Sequence, residues 1–499
     1  MRTVPGRTDR IVVVGAGLSA LSAALHLAGR GRRVTVVERG PGPGGRVGRL
    51  ELGGYRLDTG PTVLTMPEIV RDTFAGGSAE MTTYLPMRRL DPAYTAWFAD
   101  GSRLPVHSDA EEMTEAVRDF AGPAEAAGYR RLRRWLTRLY RAEFDRFVAS
   151  NIDSPLGLVS RDLARVVALG GFRRLDPKVS SFLGDERLRR VFTFQALYAG
   201  ESPMRALALY AVIAYMDTVG GVYFPEGGIA ALPRALAAAA ESAGVRFRYG
   251  EGADTLERRG GRVSAVLTGS GDRIPCDAVV LTGELPESYR LLGRAPLRPL
   301  RLSPGPSALV VHVGAAGDWP DVGHHTVSFG DAWAATFREL ITEGRQMSDP
   351  SLLITRPTAS DPALAPAHRH LFSILAPAPN LERGPIDWSR AAGPAAAALL
   401  DEVRKRLLPG LEADVSHVIS PADWAARGMV AGTPFSYAHS FGQTGPFRPR
   451  NLPRGAENVV LAGAGTVPGV GVPTVLLSGR LAADRITGSA PRRGAEDPR

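Results

Sequence analysis

The chain has 499 residues, which exceeds one typical domain, so we expect two domains. Hydrophobic residues make up 44% of it and the mean hydropathy is −0.06, values typical of a globular protein with a large core. The net charge is +9, but the basic residues are nearly all arginine and no nucleic-acid-binding motif accompanies them. The composition therefore does not indicate a nucleic-acid partner.

Cysteine and histidine are too sparse to indicate disulfide or metal chemistry. The one cysteine, Cys276, cannot form an internal disulfide, and the nine histidines show no ligand spacing beside a carboxylate. We predict no metal site, a buried inert thiol, and a loop at His324 and His325.

Neither a membrane span nor a signal peptide is visible in the sequence. No apolar run reaches the ~18–20 residues that cross a bilayer, and the N-terminus lacks an apolar core. These features predict a cytoplasmic protein, or one bound to the cytoplasmic face of a membrane.

The first predicted elements form a nucleotide-binding motif. A short β-branched run over 11–14 predicts a buried parallel strand, and it leads into a G-x-G-x-x-A turn over 15–20. Apolar residues at helical spacing follow, and then a second strand over 33–37 that ends on Glu38. Strand, turn, helix, strand and acid in this order predict dinucleotide binding.

Each residue of this motif has a physical role. Gly15 permits the tight turn, and Gly17 lets a pyrophosphate approach the free N–H groups at the helix N-terminus. Ala20 is small enough for close packing of helix and strand. Glu38 lies where an acid accepts hydrogen bonds from a ribose 2′-hydroxyl, which disfavours the 2′-phosphate of NADP.

A second glycine pair follows the acid and is completed by Arg46. Small residues at 44 and 45 let the chain run beside the pyrophosphate, and an arginine there neutralises its charge. This E-x(n)-G-G-R continuation resembles FAD oxidoreductases of the amine oxidase type, so the predicted cofactor is FAD. The alternative is a loop with one solvated arginine.

The middle of the chain is predicted to form helices first and then two groups of β-strands. A hairpin is predicted over 94–107 and mostly helical structure over 110–219. A helix over 231–243 and strands over 245–249, 256–257, 263–268 and 278–281 return to the nucleotide domain. A second sheet is predicted from strands at 307–313, 352–355 and 371–376, followed by an amphipathic helix over 391–408.

The end of the chain repeats the strand, glycine-rich turn and helix of its beginning. A buried strand over 459–462 opens into a glycine-rich turn, and a helix is predicted over 475–486. The turn does not carry a G-x-G-x-x-G and an acid, so a second dinucleotide site is not predicted. Backbone N–H groups over 471–474 can instead face the electron-rich edge of a flavin.

The closing segment GAGTVPGVGVPTVLLSG resembles the bacterial carotenoid (phytoene) desaturases. GYRLDTGPTVLTMPE over 54–68, GGVYFPEGGIAALPRAL over 220–236 and FGQTGPFRPRN over 441–451 agree with that family. The likeness spans about 10–488. It implies an FAD-dependent desaturase that removes hydride and proton from a long C40 polyene, giving lycopene or a less desaturated carotene, with oxygen or a membrane quinone as electron acceptor.

The expected fold class is α/β, with a discontinuous Rossmann-like FAD-binding domain and a second α+β substrate-binding domain. The FAD-binding domain is predicted from 1–90, 223–295 and 451–488. We expect a helical part that binds substrate or associates with a membrane at 91–222, the sheet and helices of the substrate domain at 296–450, and a disordered tail at 489–499.

The resemblance also implies site residues. The stretch 58–62 should pass beside the flavin, and Arg161, Asp162 and Arg165 match a family R-D-x-x-R segment suspected near the reacting carbon. The alternative for Asp162 and Arg165 is an ordinary ion pair at i and i+3. The predicted FAD contacts are Gly15, Gly17, Ala20, Glu38, Arg39, Gly45, Arg46, Gly60, Pro61, Thr62, Gly463, Gly465, Gly471, Val472 and Pro473.

Two helical stretches have more than one interpretation. The arginine-rich stretch 129–147 carries an apolar stripe that predicts either packing on the core or contact with an anionic bilayer, and a lipid-dissolved substrate favours the second. The stretch 203–216 is apolar on nearly all sides but too short to span a bilayer, so we predict a buried or tunnel-lining helix.

Two other functions stay open at this point. One is another flavin oxidoreductase on the same fold, acting on an amine or a porphyrinogen, although the C-terminal motif offers neither a cysteine nor an aromatic pair. The other is a non-catalytic carrier of prenyl lipids. Such a carrier is expected to have lost the glycines of the nucleotide-binding motif or Glu38, and this sequence retains both.

Overall fold

The computed structural model describes residues 1–294 and 301–489. Within these ranges the strands are β1 (Arg10–Val14), β2 (Arg33–Glu38), β3 (Arg49–Leu52), β4 (Tyr55–Asp58), β5 (Leu64–Thr65), β6 (Met87–Leu90), β7 (Tyr94–Trp97), β8 (Arg103–Val106), β9 (Val222–Pro225), β10 (Arg246–Tyr249), β11 (Ala253–Arg259), β12 (Arg262–Thr268), β13 (Arg273–Pro275), β14 (Ala278–Leu281), β15 (Ser307–Ala316), β16 (His325–Ser328), β17 (Leu352–Thr355), β18 (His370–Ala378), β19 (Glu412–Ile419) and β20 (Val459–Leu461).

The α-helices of the same ranges are α1 (Leu18–Ala28), α2 (Pro67–Gly76), α3 (Met81–Tyr84), α4 (Ala110–Ala121), α5 (Pro123–Glu143), α6 (Arg161–Ala168), α7 (Leu175–Ser180), α8 (Glu186–Val191), α9 (Ala211–Thr218), α10 (Ala231–Ser242), α11 (Leu285–Leu291), α12 (Ala334–Arg338), α13 (Trp388–Arg406), α14 (Pro421–Ala426) and α15 (Val472–Thr487). No helix of the described part combines the length and apolar character needed to cross a membrane. The disordered tail predicted from 489 lies, beyond its first residue, outside the described residues, as does the predicted boundary at 295 and 296.

A parallel sheet in the order β10-β2-β1-β14-β20 forms the first layer of the fold. Its strands come from the beginning, the middle and the end of the chain, and β1 and β14 are paired on both sides. One face packs against α1, α10 and α15, and the other packs against the β11–β12–β13 sheet. Parallel strands covered on both faces explain why these runs are apolar throughout. The predicted α/β fold class is confirmed.

Helices α1 and α15 touch almost backbone to backbone. A Cβ added at Gly479 would lie 2.3 Å from the carbonyl oxygen of Ser19. Ser22 Oγ donates a hydrogen bond of 2.7 Å to the carbonyl oxygen of Leu476 at the same crossing. Since α1 follows β1 and α15 follows β20, this contact places the N-termini of both helices at the same edge of the sheet.

A seven-stranded sheet in the order β19-β15-β18-β17-β16-β7-β8 forms the second large layer. Its neighbouring strands are antiparallel except for the parallel pair of β16 and β7. Helix α13 covers one face through residues such as Leu399 and Val403. The helices between α4 and α9 form a separate apolar core with β7, β8 and their neighbours.

Replacing Gly479 with valine should lower the midpoint of thermal unfolding by several degrees, because the new side chain would separate α1 from α15. Overpacking of this kind typically lowers the free energy of unfolding by about 1–3 kcal/mol. The matched control is Gly269→Ala, since nothing lies within 4 Å of a Cβ built at Gly269. Equal midpoints for the two variants would contradict the importance of this crossing.

Candidate active site

A large cavity begins at the carboxyl edge of the parallel sheet and extends beside the seven-stranded sheet. Its volume is about 1310 Å³, above the ~300–1,000 Å³ of common small-molecule sites. Residues from all three parts of the parallel sheet line one end, and side chains from α6, α9, β15 and β18 line the other. We call these the glycine-rich end and the apolar end.

Two glycine segments cross at the glycine-rich end without a side chain between them. Gly17 pairs with Gly44 in an isolated parallel bridge, and a Cβ at Gly45 would lie 3.1 Å from Gly17 Cα. Gly15 has φ +101°, and a Cβ there would lie 2.4 Å from Thr282 Oγ1. Gly15, Gly44 and Gly45 combine positive φ with too little space for a side chain, so the backbone N–H groups at the start of α1 stay accessible to an anionic ligand.

Glu38 ends β2 with its carboxylate aimed at the turn. One oxygen accepts a hydrogen bond of 2.7 Å from the N–H of Ala16, and the other accepts one of 2.7 Å from the N–H of Gly40. Because each carboxylate oxygen has two lone pairs, both can still accept a hydroxyl hydrogen. Glu38 therefore fixes the turn and leaves acceptors on the wall of the cavity.

Arg46 supplies a cation at the same end. Its guanidinium pairs with Glu284, and both side chains line the cavity. Burial lowers the pKa of Arg46 to about 10, so it still carries its charge at neutral pH. A Cβ at Gly60 would lie 2.1 Å from the Arg46 carbonyl oxygen. The segment 60–62 therefore lies directly against the backbone of Arg46.

The start of α15 is the second helix N-terminus at the cavity. Its N-cap, Gly471, has φ +125° and makes no side-chain cap, and neither does Gly17 at the start of α1. The buried Arg448 donates hydrogen bonds of 2.6 Å to the carbonyl oxygen of Ala464 and 2.9 Å to that of Thr466. These bonds fix the loop before α15, so two uncapped helix starts face one cavity.

The predicted FAD contacts, apart from Ala20, all line this cavity. Ala20 lies fully buried in the core between α1 and the sheet, where its small size allows close packing. The glycine cradle, Glu38, Arg46 and the two helix starts are suited to a dinucleotide, and the residues present fit FAD.

The residues predicted for catalysis are not brought to the cavity. Asp162 and Arg165 pair at 2.9 Å on the outer face of α6, and the Arg165 side chain is 68% exposed. Arg161 is also exposed, and none of the three lines the cavity. The same helix instead contributes Leu163 and Val166 to the wall. The geometry agrees with the alternative of an ordinary surface ion pair.

The apolar end takes much of its wall from the stretch predicted to be a buried or tunnel-lining helix. The α-helix is shorter than expected, because α9 begins at Ala211 after a 3₁₀ turn, Ala208–Tyr210. The lining residues of this stretch include Leu207, Leu209, Val212, Ile213 and Met216.

Two buried carboxyl groups in this wall were missed by the sequence analysis. Glu143 at the end of α5 and Asp217 near the end of α9 line the cavity and are 5% and 6% exposed. Burial raises the pKa of Asp217 to about 8 and that of Glu143 well above its usual value. The available signal for Asp217 was an acid that follows the apolar run AVIAYM.

The structure also bears on the predictions made for cysteine, histidine and metal ligands. Cys276 is buried and its pKa is raised to about 12, as an inert thiol requires. The loop predicted at His325 is wrong, since this residue begins β16 and is buried there. Within the described ranges, one group has the spacing of a metal site, and it consists of Asp91, His107 and Glu112 near the surface.

Fold and site together define a flavin-dependent oxidoreductase. A family model described as flavin containing amine oxidoreductase matches residues 18–487. The chain belongs to this family, and its cofactor is FAD, as predicted.

Relatives with known names support this assignment. The chain is 61% identical to a phytoene dehydrogenase of Streptomyces griseus, over 98% of this chain and 97% of the relative. It is 34% identical to a zeta-carotene-forming phytoene desaturase of Myxococcus xanthus, over 96% and 93%. The resemblance to the bacterial carotenoid desaturases is confirmed.

Solved structures share the fold at low identity. An oxidoreductase from Methanosarcina mazei has a TM-score of 0.64 at 16% identity and covers 94% of this chain and 98% of its own. A putrescine oxidase bound to putrescine has a TM-score of 0.60 at 15% identity and covers 95% and 98%. At these identities the likeness shows the fold alone.

Replacing Glu38 with alanine should yield protein with much less bound flavin, because the turn loses two hydrogen bonds and the ribose loses its acceptor. Flavin absorbance per mole of purified protein measures the effect. Glu241→Ala is the control, since Glu241 is an exposed acid on α10. Full flavin content in the Glu38 variant would contradict this assignment.

Proposed function

We propose that the protein catalyses the FAD-dependent desaturation of phytoene to lycopene or a less desaturated carotene, in carotenoid biosynthesis. The observation that carries the proposal is the single cavity that joins a dinucleotide cradle to a long apolar wall. The named desaturases among the relatives support the same substrate class. An amine or porphyrinogen substrate is not favoured by them.

Bound FAD supplies a hydride acceptor for a substrate that has no polar group. In our proposal Gly15, Gly17 and Glu38 hold its ribose and pyrophosphate, and Arg46 neutralises the phosphate charge. The start of α15 offers N–H groups to the electron-rich edge of the ring. The apolar wall binds the polyene by burial and excludes water from the reacting carbons.

We propose that the protein docks on the inner face of a membrane at the mouth of this cavity. Five of the seven large apolar side chains exposed in the described part line the cavity or are next in sequence to residues that do: Val159, Val167, Phe172, Phe441 and Phe447. The rings of Phe441 and Phe447 lie 5.7 Å apart. Exposed apolar side chains of this kind mark interaction sites, and in our proposal they border the entrance for a lipid-dissolved substrate.

Charge supports the same orientation. Arg161 is exposed on α6, the helix that also carries the exposed Val167, whereas Arg165 of this helix pairs with Asp162. Each arginine near an anionic leaflet contributes about 1 kcal/mol of attraction.

The apolar stripe of α5 is not available for this docking. Leu132, Trp135, Leu136 and Leu139 are buried in the core between α5 and its neighbours. Of the two interpretations of the stretch 129–147, the structure agrees with packing on the core.

Phytoene supplied in phospholipid vesicles with FAD should be converted to coloured carotenes, because each new double bond lengthens the conjugated chain. Absorption spectra of the extracted pigments identify the product. Parallel reactions with oxygen alone and with an added quinone without oxygen test the two proposed electron acceptors. Unchanged phytoene in the presence of flavin-loaded protein would overturn the proposed function.

Replacing Phe441 and Phe447 together with serine should weaken binding to anionic vesicles by at least tenfold. Burying one phenylalanine in an apolar medium contributes roughly 1.5–3 kcal/mol. Co-sedimentation with the vesicles measures the change. The control is Leu381→Ser, because Leu381 is an exposed apolar side chain that does not line the cavity. Similar binding by the two variants would contradict docking at the mouth.

A further inference from the structure

Asp217 is an acid in a wall that binds an apolar molecule. It lies on α9, where its charge interacts with the buried phenols of Tyr94 and Tyr198, and it lines the cavity. A carotene offers no hydrogen bond to such a group, and burying a polar group that lacks a hydrogen-bond partner is unfavourable. Binding of the substrate therefore does not explain the carboxyl group.

The carboxyl group is held in one orientation by Gln195. The Nε2 of Gln195 donates to Asp217 Oδ2 at 3.2 Å and lies 3.5 Å from Oδ1. The same nitrogen donates to the carbonyl oxygen of Val191 at 3.0 Å, which anchors the amide to α8. A carboxyl group positioned by a second side chain is the arrangement expected of a general base.

The surroundings of Asp217 leave its charge state free to change near neutral pH. Burial raises its pKa, and the hydrogen bond from Gln195 lowers it in part. The titratable groups that interact with it are the phenols of Tyr94 on β7 and Tyr198 on the 3₁₀ segment Phe194–Ala199. Burial raises the pKa of both phenols, so they remain neutral while Asp217 titrates.

Glu143 is the other acid in the wall and is a weaker candidate. No hydrogen-bond partner of its Oε1 was found among the described residues, so nothing orients that oxygen. Burial alone raises its pKa, which favours the neutral acid.

We propose that Asp217 is the general base that removes the proton in each desaturation, an inference that rests on the proposed function. One C–H bond of the substrate breaks to give a hydride, which goes to bound FAD as the oxidant. The neighbouring C–H bond breaks, its electron pair forms the new C=C bond, and its proton goes to the Asp217 carboxylate. In total the substrate loses two hydrogens, which leave as one hydride and one proton and together carry two electrons and two protons.

The first test compares wild-type and Asp217→Asn holoenzymes. Turnover should fall by at least 100-fold in the variant while flavin content stays equal, since general bases contribute about 10²–10⁴-fold. Wild-type turnover should rise with pH through about 8, because the base acts when deprotonated. Turnover and a pH profile that match the wild type would overturn the proposal, as would a loss confined to Glu143→Gln.

The second test does not depend on turnover. Infrared difference spectra between pH 6 and pH 10 should contain the band of a protonated carboxyl group that Asp217→Asn removes and Glu143→Gln retains. Gln195→Met should shift this titration and the rising limb of turnover to higher pH, because a donor to the carboxylate is lost. An unshifted titration would overturn the assignment even if Asp217→Asn failed to fold. Inactive wild-type protein would instead reject the proposed function.

Discussion

The structure depends on the contact between α1 and α15, where Gly479 lets one helix lie against the backbone of the other. Strands β1 and β20 are not neighbours in the sheet, since β14 lies between them. The helix contact nevertheless aligns the turns that follow both strands. Two helix N-termini, each with free N–H groups and a partial positive charge, thereby meet at one cavity. The FAD cradle follows from this packing more than from any single binding residue.

The two ends of the cavity use opposite physics. At the glycine-rich end, Glu38 offers hydrogen-bond acceptors and Arg46 offers positive charge, which suit a polar cofactor. At the apolar end, the wall stabilises a ligand by burying apolar surface, and this interaction has no preferred direction. The length and shape of the cavity therefore determine where a long hydrocarbon lies.

The sequence predicted the parallel sheet well, because strands that are buried on both faces are short, β-branched runs that can be recognised locally. It placed the start of α15 three residues late, since Pro473 is tolerated in the first turn of a helix. Strand β16 was missed because its pairing with β17 and β7, and not its own pattern, makes it a strand. The R-D-x-x-R spacing correctly indicated an ion pair, but only tertiary packing decides which face of α6 meets the cavity. The same holds for Asp217, whose burial depends on distant segments.

The order in which the parallel sheet is assembled has a consequence for synthesis in the cell. A ribosome releases β1 and β2 first, whereas β20 and α15, which complete the sheet and the packing of α1, are released last. The part of α1 that packs against α15 therefore stays uncovered until the end of the chain is translated. Such an intermediate is exposed to aggregation and suits a chaperone that shields nascent chains. The cavity that fits the flavin is complete only after the start of α15 has been translated, because that segment forms part of its wall.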